Sequence, residues 1–146
     1  EAGAASEGTI TLSGASSNIN TAASNNFFNL TINSAGTETA QTALDVDGAL
    51  TISGGTFANG NLIHNVAGDW NDVNGTYQAG AAGEGTITLS GASSNINTAA
   101  CIYYSTYAID SAGTVNAQTA LDVDGALTIS RGTFATGHLF HNVQGD

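Results

Sequence analysis

A chain of 146 residues with 1 Lys or Arg, 12 Asp or Glu and a formal charge of −11 cannot track nucleic-acid phosphates, and anionic membranes repel it. No run of about 20 apolar residues marks a helix inserted in a membrane; the lone Cys101 excludes an intrachain disulfide, and the missing Lys excludes Schiff-base chemistry and Lys–Asn isopeptide cross-links. There is no Pro, and only 9% of residues are charged, but the 41% that are hydrophobic fall at fixed spacing, unlike a disordered Ser/Gly tract.

In chain order, residues 1–6 (EAGAAS) match 78–83 (QAGAAG) and read as the tail of a preceding coil. Ile10-Thr11-Leu12 begins a coil. Leu30-Thr31-Ile32 and Leu50-Thr51-Ile52 follow at steps of 20, Trp70 opens a fourth coil after another 20, and Ile87-Thr88-Leu89 restarts the series after a shorter step. Each triplet puts two apolar residues on one side and Thr on the other, the period-2 pattern of a half-buried strand. A short strand returning about every 20 residues predicts an all-β solenoid of stacked parallel strands. In the second coil the pattern predicts strands at 30–33, 38–41 and 44–47, with turns at Ser34-Ala35-Gly36 and Asp47-Gly48-Ala49. Ser53-Gly54-Gly55 and Asn59-Gly60-Asn61 turn the third coil. One inward column then runs Ile10, Leu30, Leu50, Trp70, Ile87, Tyr107, Leu127. Beside it run Leu12, Ile32, Ile52, Leu89, Ile109, Ile129, and a third column holds Val46, Val66, Val123 and Val143. The absence of Pro suits this winding, because nearly every strand N–H is needed for a ladder bond.

A unit spanning 7–83 repeats: 7–23 recurs letter for letter at 84–100, and 40–53 recurs at 117–130. One solenoid domain, 1–146, thus holds unit 1 (7–83), an incomplete unit 2 (84–146) and the N-terminal tail (1–6), with four coils expected per unit. Asp146 matches Asp69, the residue before Trp70, so both ends read as unfinished coils. Glu1, Ala2, Gly3, Val143, Gln144, Gly145 and Asp146 are the expected end-to-end contact. The units differ most at 101–107 (CIYYSTY against SNNFFNL), where Cys101 replaces Ser24 and Tyr107 replaces Leu30. Tyr103, Tyr104 and Tyr107 form a candidate contact patch, since Tyr suits a site with one apolar and one wet side. The competing reading is a repeat that repacks its own core.

Asn26-Phe27-Phe28-Asn29-Leu30-Thr31-Ile32-Asn33 resembles the F-x-N-L-T-I-N strand of repeats in large bacterial surface and secreted proteins. Leu44-Asp45-Val46-Asp47-Gly48-Ala49-Leu50-Thr51-Ile52 resembles their L-x-V-x-G-x-L-T-I step. His64-Asn65-Val66-Ala67-Gly68-Asp69-Trp70 with Asn74-Gly75-Thr76-Tyr77 resembles their H-N-V-x-G-x-W … N-G-T-F step. The resemblance covers nearly the whole chain. It implies a right-handed parallel β-solenoid (β-helix) in an adhesin-like or filamentous cell-surface protein, and it carries no catalytic residues.

The acids repeat with the unit, so no unique carboxylate pair for glycoside cleavage emerges. Asp45 and Asp47, repeated as Asp122 and Asp124, alternate outward around a Val; they are the weak candidates for Ca²⁺, lacking the further oxygen ligands of a calcium loop. An Asp-Gly turn with solvated acids is the simpler reading, and no cofactor is expected. Asp69 and Asp72 beside Trp70 make a second acidic cluster. His64 and His141 share the column of Leu44 and Leu121, which indicates a structural role. His138 and His141, read as strand residues, point to opposite faces, a poor arrangement for zinc. Thr11, Thr31, Thr51, Thr88 and Thr128 are expected to form an outward hydroxyl ladder, interrupted at Asn71 and Ala108.

The first functional expectation is a non-enzymatic, extracellular or cell-surface structural solenoid. It stacks head to tail on copies of itself or forms the stalk of an adhesin, because an unclosed heterologous contact makes filaments. The second is a module that binds surface glycans or ice along an outer Thr/Tyr face.

Overall fold

The computed structural model describes residues 8–22, 26–80, 85–99, 103–104 (backbone) and 106–145. Among these there are strands and no helices, wound into about six turns of a parallel β-solenoid with three faces. The first face stacks β1 (Thr9–Leu12), the opening halves of β3 (Asn29–Ala40) and β5 (Leu50–Ala58), then β7 (Trp70–Asp72), β10 (Ser93–Thr98) and the closing halves of β12 (Thr106–Ala117) and β14 (Leu127–Ala135). The second face stacks β2 (Ser17–Ile19), the closing halves of β3 and β5, and β8 (Thr76–Gln78). It continues with β11 (Tyr103–Tyr104), β13 (Asp122–Val123) and β15 (Asn142–Val143). The third face stacks β4 (Asp45–Val46), β6 (Ile63–Val66), β9 (Thr86–Leu89) and the opening halves of β12 and β14, with a single bridge from Phe27 to Val46 before them.

Local chemistry explains this shape. Alternating β-branched and aliphatic residues keep the backbone extended and send every second side chain inward. Leu30, Ile32, Leu50, Ile52, Val46 and Val66 are fully buried. Each such side chain stabilises the column by roughly 1.5–3 kcal/mol. The first two expected strands of the second coil are one element, β3, bent at a register shift between Asn33 and Thr37. The expected turn Ser34-Ala35-Gly36 is the corner of that bend. Asn59-Gly60-Asn61 turns as expected, with Gly60 and Asn61 both at positive φ. Asn tolerates that region better than most residues.

The steps of 20 hold through Ile10, Leu30, Leu50 and Trp70, which pair in register. Above Trp70, however, stands Ile96, not Ile87. Ile87 lies on the third face, between His64 and Tyr107. The fourth coil contributes only β7 and β8. β8 lies on the second face, and the next described strand, β9 of unit 2, lies on the third. Equivalent strands of the two units therefore lie one face apart: β1 is on the first face and β9 on the third, β2 on the second and β10 on the first. One unit makes three and two-thirds turns.

Candidate functional surfaces

The interior is not wholly apolar, and its polar groups form a connected chain at one corner. The Leu44 N–H donates to His64 Nδ1 at 3.0 Å, and His64 Nε2 donates to the Asn59 carbonyl at 2.9 Å. Asn59 Nδ2 donates to the Tyr77 hydroxyl at 2.7 Å, its Oδ1 accepts from the Leu62 N–H at 2.7 Å, and the Tyr77 N–H donates to Asp72 Oδ2 at 3.1 Å. His64, Asn59 and Asp72 are all fully buried. Both His64 nitrogens are thus used in the neutral form, and burial lowers its pKa from 6.5. Burial pushes the Asp72 carboxyl up to about 6 against the pull of the Tyr77 N–H, and its Oδ1 has no partner among the described residues. Asp72 sits directly after Ile52 in an apolar column. It is therefore a core residue and no part of an outward acidic cluster with Asp69. Glu38 is a second buried acid; the Ser17 hydroxyl donates to one of its oxygens and the other is unpartnered among the described residues. The alternation rule would have found Asp72, which lies two residues past the buried Trp70 on one strand. No sequence signal marks the Asn59–Tyr77 pairing.

The outward acids are engaged by amides. Asp45 accepts from Asn65 Nδ2 at 2.8 Å and Asp122 from Asn142 Nδ2 at 2.7 Å, each pair 20 positions apart and so one turn apart. Asp47 accepts from Asn26 Nδ2 at 3.3 Å, and Asp124 from Gln144 Nε2 at 2.9 Å. Among the described residues no group of three or more His, Cys, Asp or Glu could hold a metal ion. His138 lies in a turn at φ 61°, so the strand argument about its direction does not apply.

Two further expectations change with the register. Tyr107 is fully buried in the third-face column between Ile87 and Leu127, so it does not belong to a contact patch. Its ring fills the core where Leu30 does in unit 1. The backbones of Tyr103 and Tyr104 pair with Asp122 and Val123, and their side chains lie outside the described residues. The Thr ladder is split: Thr11, Thr31 and Thr51 stack on the first face, followed by Asn71 and Asn97, whereas Thr88, Ala108 and Thr128 stack on the third. The five threonines do not form one flat array.

The first and last described turns leave apolar side chains exposed. Ile52 and Val66 are fully buried in unit 1, but their equivalents Ile129 and Val143 are 49% and 40% exposed, as is Ile10 at 40% on the opposite end. Of the expected end contact, Val143 carries this apolar exposure, and Gln144 and Gly145 are held by backbone bonds to Val123 and Gly125. Glu1, Ala2, Gly3 and Asp146 lie outside the described residues.

A cavity of about 510 Å³ lies where β10, β12 and the segment before β15 leave the first face. Its lining includes Thr98 and Thr119, whose hydroxyls lie 2.9 Å apart, with Leu121, Asp122, Phe140 and Asn142. Comparisons with protein-family models, curated proteins and solved structures found no match. The reading of these surfaces rests on their chemistry.

Proposed function

We propose that this chain is a structural, non-catalytic column element of the cell surface or extracellular space. Further coils of its own kind extend it, as a filament of head-to-tail copies or as part of an adhesin stalk. One observation carries the reading. The same residue type at equivalent positions is covered unequally: Ile52, stacked between Ile32 and Asp72, is fully buried, whereas Ile129, stacked on Ile109 alone among the described residues, is 49% exposed. A covering coil would bury that side chain and pair the free strand edge of β14. The adhesin-like repeat motifs support the setting, and the composition suits an extracellular scaffold: a single Arg, no Lys and very few charges.

The opposing term is charge. Two copies at −11 repel, and the repulsion weakens as salt shortens the screening length. Stacking should therefore strengthen with ionic strength. Sedimentation and negative-stain electron microscopy of the chain at 50 and 500 mM salt are expected to show rods one solenoid wide that lengthen with salt and concentration. Ile129→Asp should shorten them. In parallel, a genetic fusion carrying a third unit should unfold at a higher denaturant midpoint than the chain itself. Monomers under all conditions, together with no gain from the third unit, would reject the proposal.

A further inference from the structure

Phe140 is 97% exposed, the most exposed large apolar side chain among the described residues. His141 turns inward, with Nδ1 accepting from the Leu121 N–H at 3.2 Å and its ring 5.3 Å from Phe134, and the neighbouring Phe140 side chain stands in solvent. Exposure here is not a consequence of the open end. The unit 1 equivalent, Ile63, is 65% exposed although β9 pairs directly with its strand. A continuing coil would leave Phe140 in solvent, beside the cavity.

The cavity that Phe140 helps to line has a mixed lining. Its volume lies in the range of small-ligand sites, which combine an apolar floor with a few convergent polar groups. Thr98, Thr119, Asp122 and Asn142 supply polar groups to that lining. Asn142 Nδ2 donates to Asp122 Oδ1, which leaves Asp122 Oδ2 and the Asn142 amide oxygen without partners among the described residues. Both accept hydrogen bonds, and ligand hydroxyls donate them. Asp122 is the only charged residue lining the cavity among the described residues, and the chain carries −11, so an anionic ligand is disfavoured. A single carboxylate is too few for a hard cation. What remains is an uncharged molecule with one apolar face to lie on an aromatic ring and hydroxyls around its edge.

We propose that the cavity beside Phe140 is a subsite for the ring of a neutral oligosaccharide, with Phe140 as the stacking platform and Asp122 and Asn142 as hydroxyl acceptors. The site draws on three successive turns, through Thr98, Thr119 and Asn142. The other unit supplies its control. Thr21, Thr42, Asp45 and Asn65 reproduce the polar groups, including the 3.0 Å hydroxyl pair and the amide–carboxylate bond, but Ile63 stands where the aromatic ring is needed.

The test is a titration of the full chain, followed by NMR and calorimetry, with cellotetraose, maltotetraose and chitotetraose, and with trigalacturonate as the anionic counterpart. At least one neutral sugar should bind saturably with one equivalent per chain, at roughly millimolar affinity. Phe140→Ile, which copies unit 1 at a solvent-exposed position and so spares the fold, should weaken it about tenfold or more. Ile63→Phe should raise the stoichiometry from one to two. No saturable binding of any neutral sugar, a preference for trigalacturonate, or binding unchanged in Phe140→Ile would each overturn the assignment. Retained folding in the variants is read from their circular dichroism and denaturant midpoints.

Discussion

Burial moves the protonation of Asp72 and of His64, and the two pull stability in opposite directions with pH. The Asp72 carboxyl ionises near 6 in the folded chain against 3.8 in the open chain. As pH rises between those values the unfolded chain loses this proton first, so the native state loses stability across that window. Above it the buried carboxylate is ionised with one oxygen unpartnered. Asp72→Asn keeps an acceptor for the Tyr77 N–H and removes the charge. We expect it to raise stability at pH 7.5 by roughly 1–3 kcal/mol and to flatten the decline between pH 4 and 6 in urea titrations. An unchanged profile would show that the carboxyl is not the titrating group. His64 has the reverse sign. Its folded pKa lies below 6.5, so as pH falls below that value the unfolded chain takes up a proton that the native imidazole refuses, and stability drops. His64→Leu should abolish that acid-side loss. It should also cost roughly 2–4 kcal/mol at pH 7.5, because the Leu44 N–H and the Asn59 carbonyl lose their partners.

Strands and corners obey a different constraint, the closeness of one turn to the next. At Gly36, in the corner of β3, an added Cβ would overlap the Ala15 carbonyl of the turn before; at Gly113 it would overlap Ala92 in the same way. Both contacts are with backbone, which cannot swing aside. Gly36→Ala should therefore cost roughly 1–3 kcal/mol, whereas Gly14→Ala, where nothing lies within 4 Å, should stay within roughly 0.5 kcal/mol. Equal denaturant midpoints for the two variants would contradict the stacking of these corners. At this scale the sequence was informative. The triplets at Ile10, Leu30 and Leu50 announced the strands, the inward side chains and the spacing of 20, because strand periodicity and turn chemistry are local properties. The face on which unit 2 begins was not legible. A coil has three corners, and the segment from Trp70 to Ile87 is long enough to cross two or three of them; only pairing partners decide. The cavity was hidden for the same reason: Thr98, Thr119 and Asn142 come from three successive turns, and their meeting depends on that phase. Phe140 looked ordinary in the sequence; only the structure shows its exposure.

For the whole molecule, the decisive quantity is the fraction of a turn left over by each unit. After one unit the winding has advanced three and two-thirds turns, so Ile87 stands one face away from its equivalent Ile10, and Val123 one face away from Val46. If every unit follows this geometry, any surface feature that each unit carries, such as the amide–carboxylate pair of Asn65 and Asp45, repeated at Asn142 and Asp122, appears on each of the three faces in turn. The pattern regains its starting face after three units. Parallel strands stack at about 4.8 Å, so one unit rises about 18 Å and the full period is about 53 Å. A column with whole turns per unit would instead keep every such feature on one side and show a single short period of about 19 Å. Fibre diffraction, or helical averaging of micrographs, from a chain of six fused units distinguishes the two. We expect a strong meridional reflection at about 4.8 Å, a meridional order at about 18 Å, and layer lines indexing on about 53 Å, the mark of a threefold screw. Layer lines indexing on the single-unit rise alone would mean that the junction at Trp70 and Ile96 is not the one a longer array uses. A three-sided column of this kind offers no single binding face. Features carried by every unit would instead point outward on all three sides along its length.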